Sequence, residues 1–286
     1  MTNKVVAITG ASGKVGKAIT HKFLTANAFQ LHILVRASSF DSPVYQAYQR
    51  RGAKLHSIDF EDEAGIAEAL AGVDIFISAV AGPAWAVQFT LVRAASKAGV
   101  ELFFPSEYGS VRIRGGYSMA PAHIQKNVRK VAQELGLPIA ILENAAFPEA
   151  VITPALGWSF AENKVSVWGD VNTKLGWTTI RSVADWLTHV LITIPIEQLQ
   201  NRRFKIQAVS YAYNEVVALW EQKHNVRDKL EVEHRPLKEL EDRFAANPND
   251  VYAALMLELA SGRMNIGGKD NSMYPDWQPD SIESVL

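Results

Sequence analysis

The sequence predicts an α/β fold: a doubly wound parallel sheet, followed by a smaller and less regular lobe. Three observations predict it. Short apolar runs alternate with helical patterns through the first 150 residues. The runs are unbroken instead of alternating with polar residues, as strands covered on both faces require. A glycine-rich turn joins the first apolar run to the first helical pattern.

In order, Val5 to Thr9 reads as a strand and Gly13 to Asn27 as a helix with Val15, Ile19 and Phe23 on one face. Leu31–Val35 and Lys54–Ile58 are the next strands, and Glu61–Ala71 is helical. Val73–Val80, Glu101–Pro105 and Ile139–Leu142 complete the strands, with helices near 84–98 and 120–135. Strands that alternate with helices build a parallel sheet. Beyond residue 150 the rhythm changes: Pro154, Gly157, Gly169 and Gly176 break the chain, and most of the tryptophans lie here. Helical patterns at Thr178–Ile194 and Ser210–Asn225 flank a strand at Arg203–Ala208. The expected division is 1–150 and 151–286, the second part returning in places to the sheet.

Composition narrows the function. The 29 basic and 30 acidic residues leave a net charge of −1, so the basic footprint that nucleic-acid backbones demand is missing. With no cysteine among 286 residues, disulfides, thiolate metal sites and a cysteine nucleophile are excluded. The scattered histidines make no metal-ligand spacing, so no metal site is expected. Val5–Ile8, between Lys4 and Lys14, is too short for a secretory core, which points to the cytoplasm. Ile75 to Val92 runs 18 residues without a charge, but Gly82-Pro83 divides it. It reads as strand, turn and helix, and no membrane partner is expected. Oligomeric state is left open.

The strongest motif is Thr9-Gly10-Ala11-Ser12-Gly13-Lys14-Val15-Gly16, between the first strand and the first helix. This placement is that of a dinucleotide-binding turn in a Rossmann-type sheet. Gly10 allows the tight turn, Gly13 lets backbone approach a pyrophosphate, and Gly16 lets helix and strand pack closely. The N–H groups and dipole at the helix start, from Ser12 through Lys14 and Val15, favour phosphate. The competing reading is a tight turn without a ligand. A nucleotide-hydrolase loop is excluded, because Val15 follows Gly13-Lys14 where Ser or Thr is needed. At the end of the second strand an NAD site carries Asp or Glu. Here stand Arg36 and then Ala37-Ser38-Ser39. A carboxylate repels a 2′-phosphate, whereas Arg36 and Ser38 attract and bond one. NADP(H) is the expected cofactor.

With these residues the chain resembles the atypical short-chain dehydrogenase/reductase group of NmrA-like, isoflavone reductase-like and phenylcoumaran benzylic ether reductase-like proteins. Phe103-Phe104-Pro105-Ser106-Glu107-Tyr108-Gly109 is similar to its central-strand signature. Gly136-Leu137-Pro138 and Leu142-Glu143-Asn144-Ala145-Ala146-Phe147 are similar to its next strand. Trp168–Lys174 and Met273-Tyr274-Pro275-Asp276-Trp277 match motifs of its second lobe. The resemblance implies NADPH-dependent hydride transfer in a cleft between lobes, with a lysine acid/base on the helix after the Pro-Ser-Glu-Tyr-Gly turn. The group also contains dinucleotide-binding regulators that catalyse nothing.

None of the eight tyrosines has a lysine four residues later, so the ordinary Tyr-x-x-x-Lys chemistry is absent. Lys126 is the candidate catalytic residue. Counting back from Gly136-Leu137-Pro138 places Gln125 at the family's lysine position. Ile124, Val128, Val131 and Leu135 form an apolar stripe with Lys126 opposite it, so a solvated surface lysine is the competing reading. His123 is a rival donor. Ser106, with Ser78, Ala79, Val80, Asn144 and Phe147, follows strand ends where open α/β sheets bind ligands, and these are the expected cofactor contacts. Glu107 and Tyr108 are the expected substrate contacts. Trp158, Trp168 and Trp177 either wall an aromatic pocket or fill the core. Two functions fit: an NADPH-dependent reductase of a small aromatic or conjugated substrate, and a non-catalytic NADP(H) sensor.

Overall fold

The computed structural model describes residues 4–109, 120–225 and 229–286. In chain order the elements are β1 (Lys4–Thr9), α1 (Lys14–Ala26), β2 (Phe29–Arg36), α2 (Pro43–Arg50), β3 (Lys54–Ile58), α3 (Glu63–Ala69), β4 (Ile75–Ser78), α4 (Gln88–Lys97), β5 (Leu102–Phe104), α5 (Ala120–Glu134) and β6 (Ile141–Glu143). Then follow α6 (Pro148–Val151), β7 (Trp158–Ser159), β8 (Lys164–Trp168), β9 (Lys174–Trp177), α7 (Ile180–Thr193), β10 (Arg203–Lys205), β11 (Val209–Ala212), α8 (Tyr213–His224), β12 (Glu231–Arg235), α9 (Leu237–Ala246) and α10 (Val251–Ala260). The chain forms two compact units from interleaved segments. One takes the described parts of Met1–Glu107, Ile124–Leu142 and Val183–Phe204; the other takes those of Tyr108–His123, Glu143–Ser182 and Lys205–Leu286.

The first unit holds a parallel five-stranded sheet in the order β3-β2-β1-β4-β5. A parallel bridge from Phe103 to Ile139 adds the next strand segment, and β6 pairs with β10. Val6, Ala7 and Ile8 of β1 and all four residues of β4 are buried, as the unbroken apolar runs require. On one face Ile66, Leu70, Leu91, Val92, Val128 and Ala132 pack against Ala7, Phe76 and Phe103. Lys4 reaches across from β1, its Nζ donating to the carbonyls of Leu191 (2.6 Å) and Ile194 (2.8 Å) at the end of α7.

Several boundaries differ from the sequence reading. The helix expected near 84–98 begins as a 3-10 segment, Gly82–Val87, and becomes α-helical only at Gln88. The stripe on α5 runs through Ile124, Val128, Val131 and Ala132. Leu135 is instead 43% exposed, because the helix ends at Glu134. α2 went unread, though Pro43 at its start fits the first helical turn.

The second unit contains a three-stranded sheet, β12-β8-β7, and the antiparallel pair β11-β9. Trp158, Trp168 and Trp177 are buried in its core with Tyr213, Leu240, Phe244 and Leu257. These tryptophans therefore fill the core. Ser210–Ala212 form a strand and α8 starts at Tyr213, so the expected helix from Ser210 is corrected. The expected strand Arg203–Ala208 is likewise shorter: β10 ends at Lys205, and β11 starts only at Val209.

Candidate functional site

The glycine loop is built by close approach. Gly10 has φ +80°, a conformation that L side chains rarely adopt, and a Cβ there would lie 2.5 Å from the Ala79 carbonyl oxygen. At Gly16 a Cβ would lie 2.2 Å from the Gly10 carbonyl oxygen, backbone against backbone. Gly13 differs: its φ is −73° and its Cβ would meet nothing nearer than the same oxygen at 3.3 Å. Two of the three glycines are thus required by the packing of the loop, and the third opens the helix start.

The start of α1 suits an anion. No side chain caps it and no acidic residue lies in its first turn, so that turn supplies no counter-charge to its backbone donors and positive dipole end. Ser12, Gly13 and Lys14 are exposed, while Val15 is half-buried. Two tyrosines of α2 brace the loop from behind. The Tyr48 hydroxyl donates to the Ala11 carbonyl (3.2 Å) and the Tyr45 hydroxyl to Ser12 Oγ (3.1 Å). Burial pushes the Tyr48 hydroxyl up to about 12, keeping it a donor.

Arg36 ends β2 and is exposed, and a 3-10 turn, Ala37–Ser39, follows it. Arg36 and Ser38 line a cavity of about 540 Å³ with Ile58, Phe60, Val87 and Thr90. Asp59 also lines it, its Oδ1 accepting the Glu61 backbone N–H (3.0 Å). Ile58 to Phe60 were missed in the sequence, although the rule that ligands gather after parallel-strand ends points to them.

The ends of β4 and β5 are tied together. Ala79 donates its N–H to Thr9 (3.0 Å) and packs against Gly10. The Ser106 hydroxyl donates to the Val80 carbonyl (2.6 Å), and its N–H donates to Gln88 Oε1 (2.6 Å). Ser78 is fully buried, and its hydroxyl has no hydrogen-bond partner among the described residues. Glu107 is buried at 6% exposure and takes a hydrogen bond from the Arg129 guanidinium. Gln88 and Arg129 are long-range partners that no local motif announces.

On α5, Lys126 is exposed and Gln125 half-buried beside it. Arg129, on the same helix, reaches Glu107 in the loop after β5. Three expected contacts belong to the second unit. The Tyr108 hydroxyl is buried without a partner among the described residues, and burial raises its pKa. Asn144 is buried; its Oδ1 accepts the Gly109 N–H (2.7 Å) and its Nδ2 donates to the Ala145 carbonyl (3.3 Å). Ala145 has φ +60°, a strained value for a residue with a side chain. Phe147 is half-buried and precedes α6. The structure therefore gathers Gly10–Gly16, Ala79, Val80 and Ser106 in the first unit, sets Arg36 and Ser38 on its cavity, and holds Tyr108, Asn144 and Phe147 in the second. Among the described residues no cluster of three or more His, Asp or Glu is placed to hold a metal. No described helix is long and apolar enough to cross a membrane.

A parallel sheet in this strand order, with a glycine loop opening a helix at the C-terminal end of its first strand, defines a Rossmann-type α/β protein of the dinucleotide-binding class. The NmrA-like family model matches residues 2–260, and the chain belongs to that family. The phenylcoumaran benzylic ether reductase IRL1 of Ginkgo biloba is 25% identical, covering 98% of this chain and 97% of that protein. Among solved structures, isoflavone reductase superposes with a TM-score of 0.84 at 24% identity, over 100% of this chain and 99% of that one. The leucoanthocyanidin reductase of Vitis vinifera, solved as a binary complex with NADPH, gives 0.80 at 20% identity over 98% and 97%. The fold class and the family resemblance read from the sequence both hold.

Proposed function

We propose that this chain is an NADPH-dependent oxidoreductase that reduces a small aromatic or conjugated substrate. The observation that carries the reading is the pairing of an uncapped α1 start, exposed beneath the glycine loop, with Arg36 and Ser38 at the end of β2. Relatives named as reductases of aromatic compounds, and a neighbour solved with NADPH, support it.

When bound, NADPH supplies the hydride. The protein's part is binding and proton management. The Gly13 N–H is taken by the Gly10 carbonyl (3.0 Å), so the backbone donors of Ser12, Lys14 and Val15 hold the pyrophosphate, and Gly13 admits it closely. Arg36 grips the 2′-phosphate in a planar fork, with Ser38 adding a hydroxyl. Ala79 and Val80, small at the strand end, leave room for the ribose, with Ser78 beneath and Ser106 fixing their loop. Glu107, in the loop after β5, is the substrate contact assigned within the first unit. Lys126 donates the proton; exposed on α5, it is recharged from bulk water.

The test is a titration with NADPH and NADH, on the wild type and on Arg36→Ala. Removing a charge-assisted, bidentate hydrogen bond to a phosphate weakens binding by about 10- to 100-fold. NADPH affinity falls by that amount while NADH affinity is unchanged. Equal weakening of both cofactors, or of neither, overturns the role given to Arg36. Absence of NADPH binding to the wild type overturns the reading itself.

A further inference from the structure

The turn from α5 into the strand segment at Ile139 walls a second cavity, of about 560 Å³, within the first unit. Gly136 to Pro138 lead into that segment, which runs parallel to β5. The cavity therefore opens at strand N-terminal ends, whereas the glycine loop follows the C-terminal end of β1. Arg129, Arg202 and Arg203 line it with Gln133, and no acidic residue is among its described lining residues. Its apolar side includes the buried Leu137 and Ile141 and the half-buried Pro138 and Ile139.

Two of the guanidinium groups are held in place. Arg129 donates to Glu107, and the Arg202 guanidinium carbon sits 4.8 Å over the Phe204 ring centroid. A pre-positioned fork loses less freedom when it takes a ligand. The volume lies in the range of small-molecule pockets, which combine an apolar lining with a few convergent polar groups. Planar guanidinium forks match carboxylates bidentately, and the half-buried Pro138 and Ile139 offer surface to hydrocarbon.

We propose that this cavity is a second binding site, taking a small organic carboxylate with its charged head on the arginines and its apolar body against Pro138 and Ile139. The site stands apart from the glycine loop, so the inference does not rest on the reductase reading. Because Arg129 also holds Glu107, occupancy is transmitted to the loop after β5.

The test is calorimetric titration of the full chain with 3-phenylpropionate, with its neutral amide and with inorganic phosphate, accompanied by amide nitrogen-15 shift mapping. Saturable binding of the acid is expected, with the amide and phosphate each about tenfold weaker or more. The amides of Gln133, Leu137, Asn201 and Glu107 shift, and Gly13 does not. Arg202→Gln combined with Arg203→Gln lowers affinity for the acid by about tenfold or more, and the wild-type mapping stands if that variant folds poorly. Equal affinity for acid and amide, phosphate binding as tightly as the acid, shifts confined to other residues, or no saturation at millimolar acid would each overturn the proposal.

Discussion

Gly16 offers a substitution whose sign runs against helix propensity. It is the third residue of α1, where alanine is ordinarily better than glycine by about 0.5–1 kcal/mol. In this loop, however, the added Cβ of Gly16→Ala would sit 2.2 Å from the Gly10 carbonyl oxygen, 2.7 Å from its carbon and 3.1 Å from the Ala11 Cα. All three are backbone atoms, so relief requires the loop and helix to part by about 1 Å to restore ordinary contact. Overpacking costs about 1–3 kcal/mol, and a backbone contact this short belongs in the upper half of that range, which outweighs the propensity gain and leaves a net loss of about 1–2 kcal/mol. For a chain of this size that lowers Tm by about 2–5 °C. The displaced loop also loses about tenfold or more in NADPH affinity. Gly13→Ala is the contrasting variant. Its φ of −73° accommodates alanine, and its Cβ would meet the Gly10 oxygen at 3.3 Å, a tight contact that a shift of a few tenths of an ångström relieves. A poorer N-cap and a stiffer unfolded chain roughly cancel, so Tm stays near wild type while NADPH affinity falls. Differential scanning calorimetry and fluorescence titration read both. A Gly16→Ala protein as stable and as avid as wild type would refute the close-approach argument. An unchanged NADPH affinity in Gly13→Ala would refute backbone contact with the pyrophosphate.

Acid should weaken the edge of the sheet. His32 and His56, ring nitrogens 3.3 Å apart on β2 and β3, are half-buried; burial, then His56 and Lys54, pull His32 from 6.5 down to about 4. The folded state therefore favours the neutral ring, and its stability contribution, full above pH 6.5, is lost as pH falls towards 4. Discounted for solvent screening, about 1–2 kcal/mol is at stake, and urea unfolding across that window should show a slope that His32→Gln removes. Arg129→Ala strips a partner from the buried Glu107 carboxylate and is expected to cost about 1–3 kcal/mol in chemical denaturation; Arg129→Lys should recover part of that loss. Lys126→Ala should lower kcat about 100-fold or more with NADPH affinity retained, and an unchanged kcat in stopped-flow assays would remove Lys126 from proton transfer.

The parts of the fold legible in the sequence are those dictated by local physics. β1, β2 and β4 announce themselves because buried parallel strands are continuously apolar, and the glycine loop because its backbone geometry admits almost nothing else. The second unit is less legible. β8 pairs in parallel with β12, joining Lys164 to Glu231, and nothing in five residues of either strand specifies so distant a neighbour. Gly82-Pro83 reads correctly as a break, but the 3-10 segment that it opens looks helical in pattern. In the site, the loop and Arg36 were visible because chemistry and position coincide. Gln88, Asp59 and Arg129 were not, since their roles are set by contacts across 18 to 22 residues or by a shared cavity wall.

The pairing of β6 with β10, and the grip of Lys4 on the last turn of α7, place a constraint on biosynthesis. The N-terminal strand finds two of its acceptors at Leu191 and Ile194, and the Ile141 N–H finds the Arg202 carbonyl (2.9 Å) only once that residue has been made. A nascent chain that has emerged only through residue 150 therefore carries a sheet with an unsatisfied border at β6. Such a border is a template for pairing with another chain. Until β10 arrives, the growing polypeptide is open to association with its neighbours on the same message, and a fragment ending at 150 should be far less soluble than the whole.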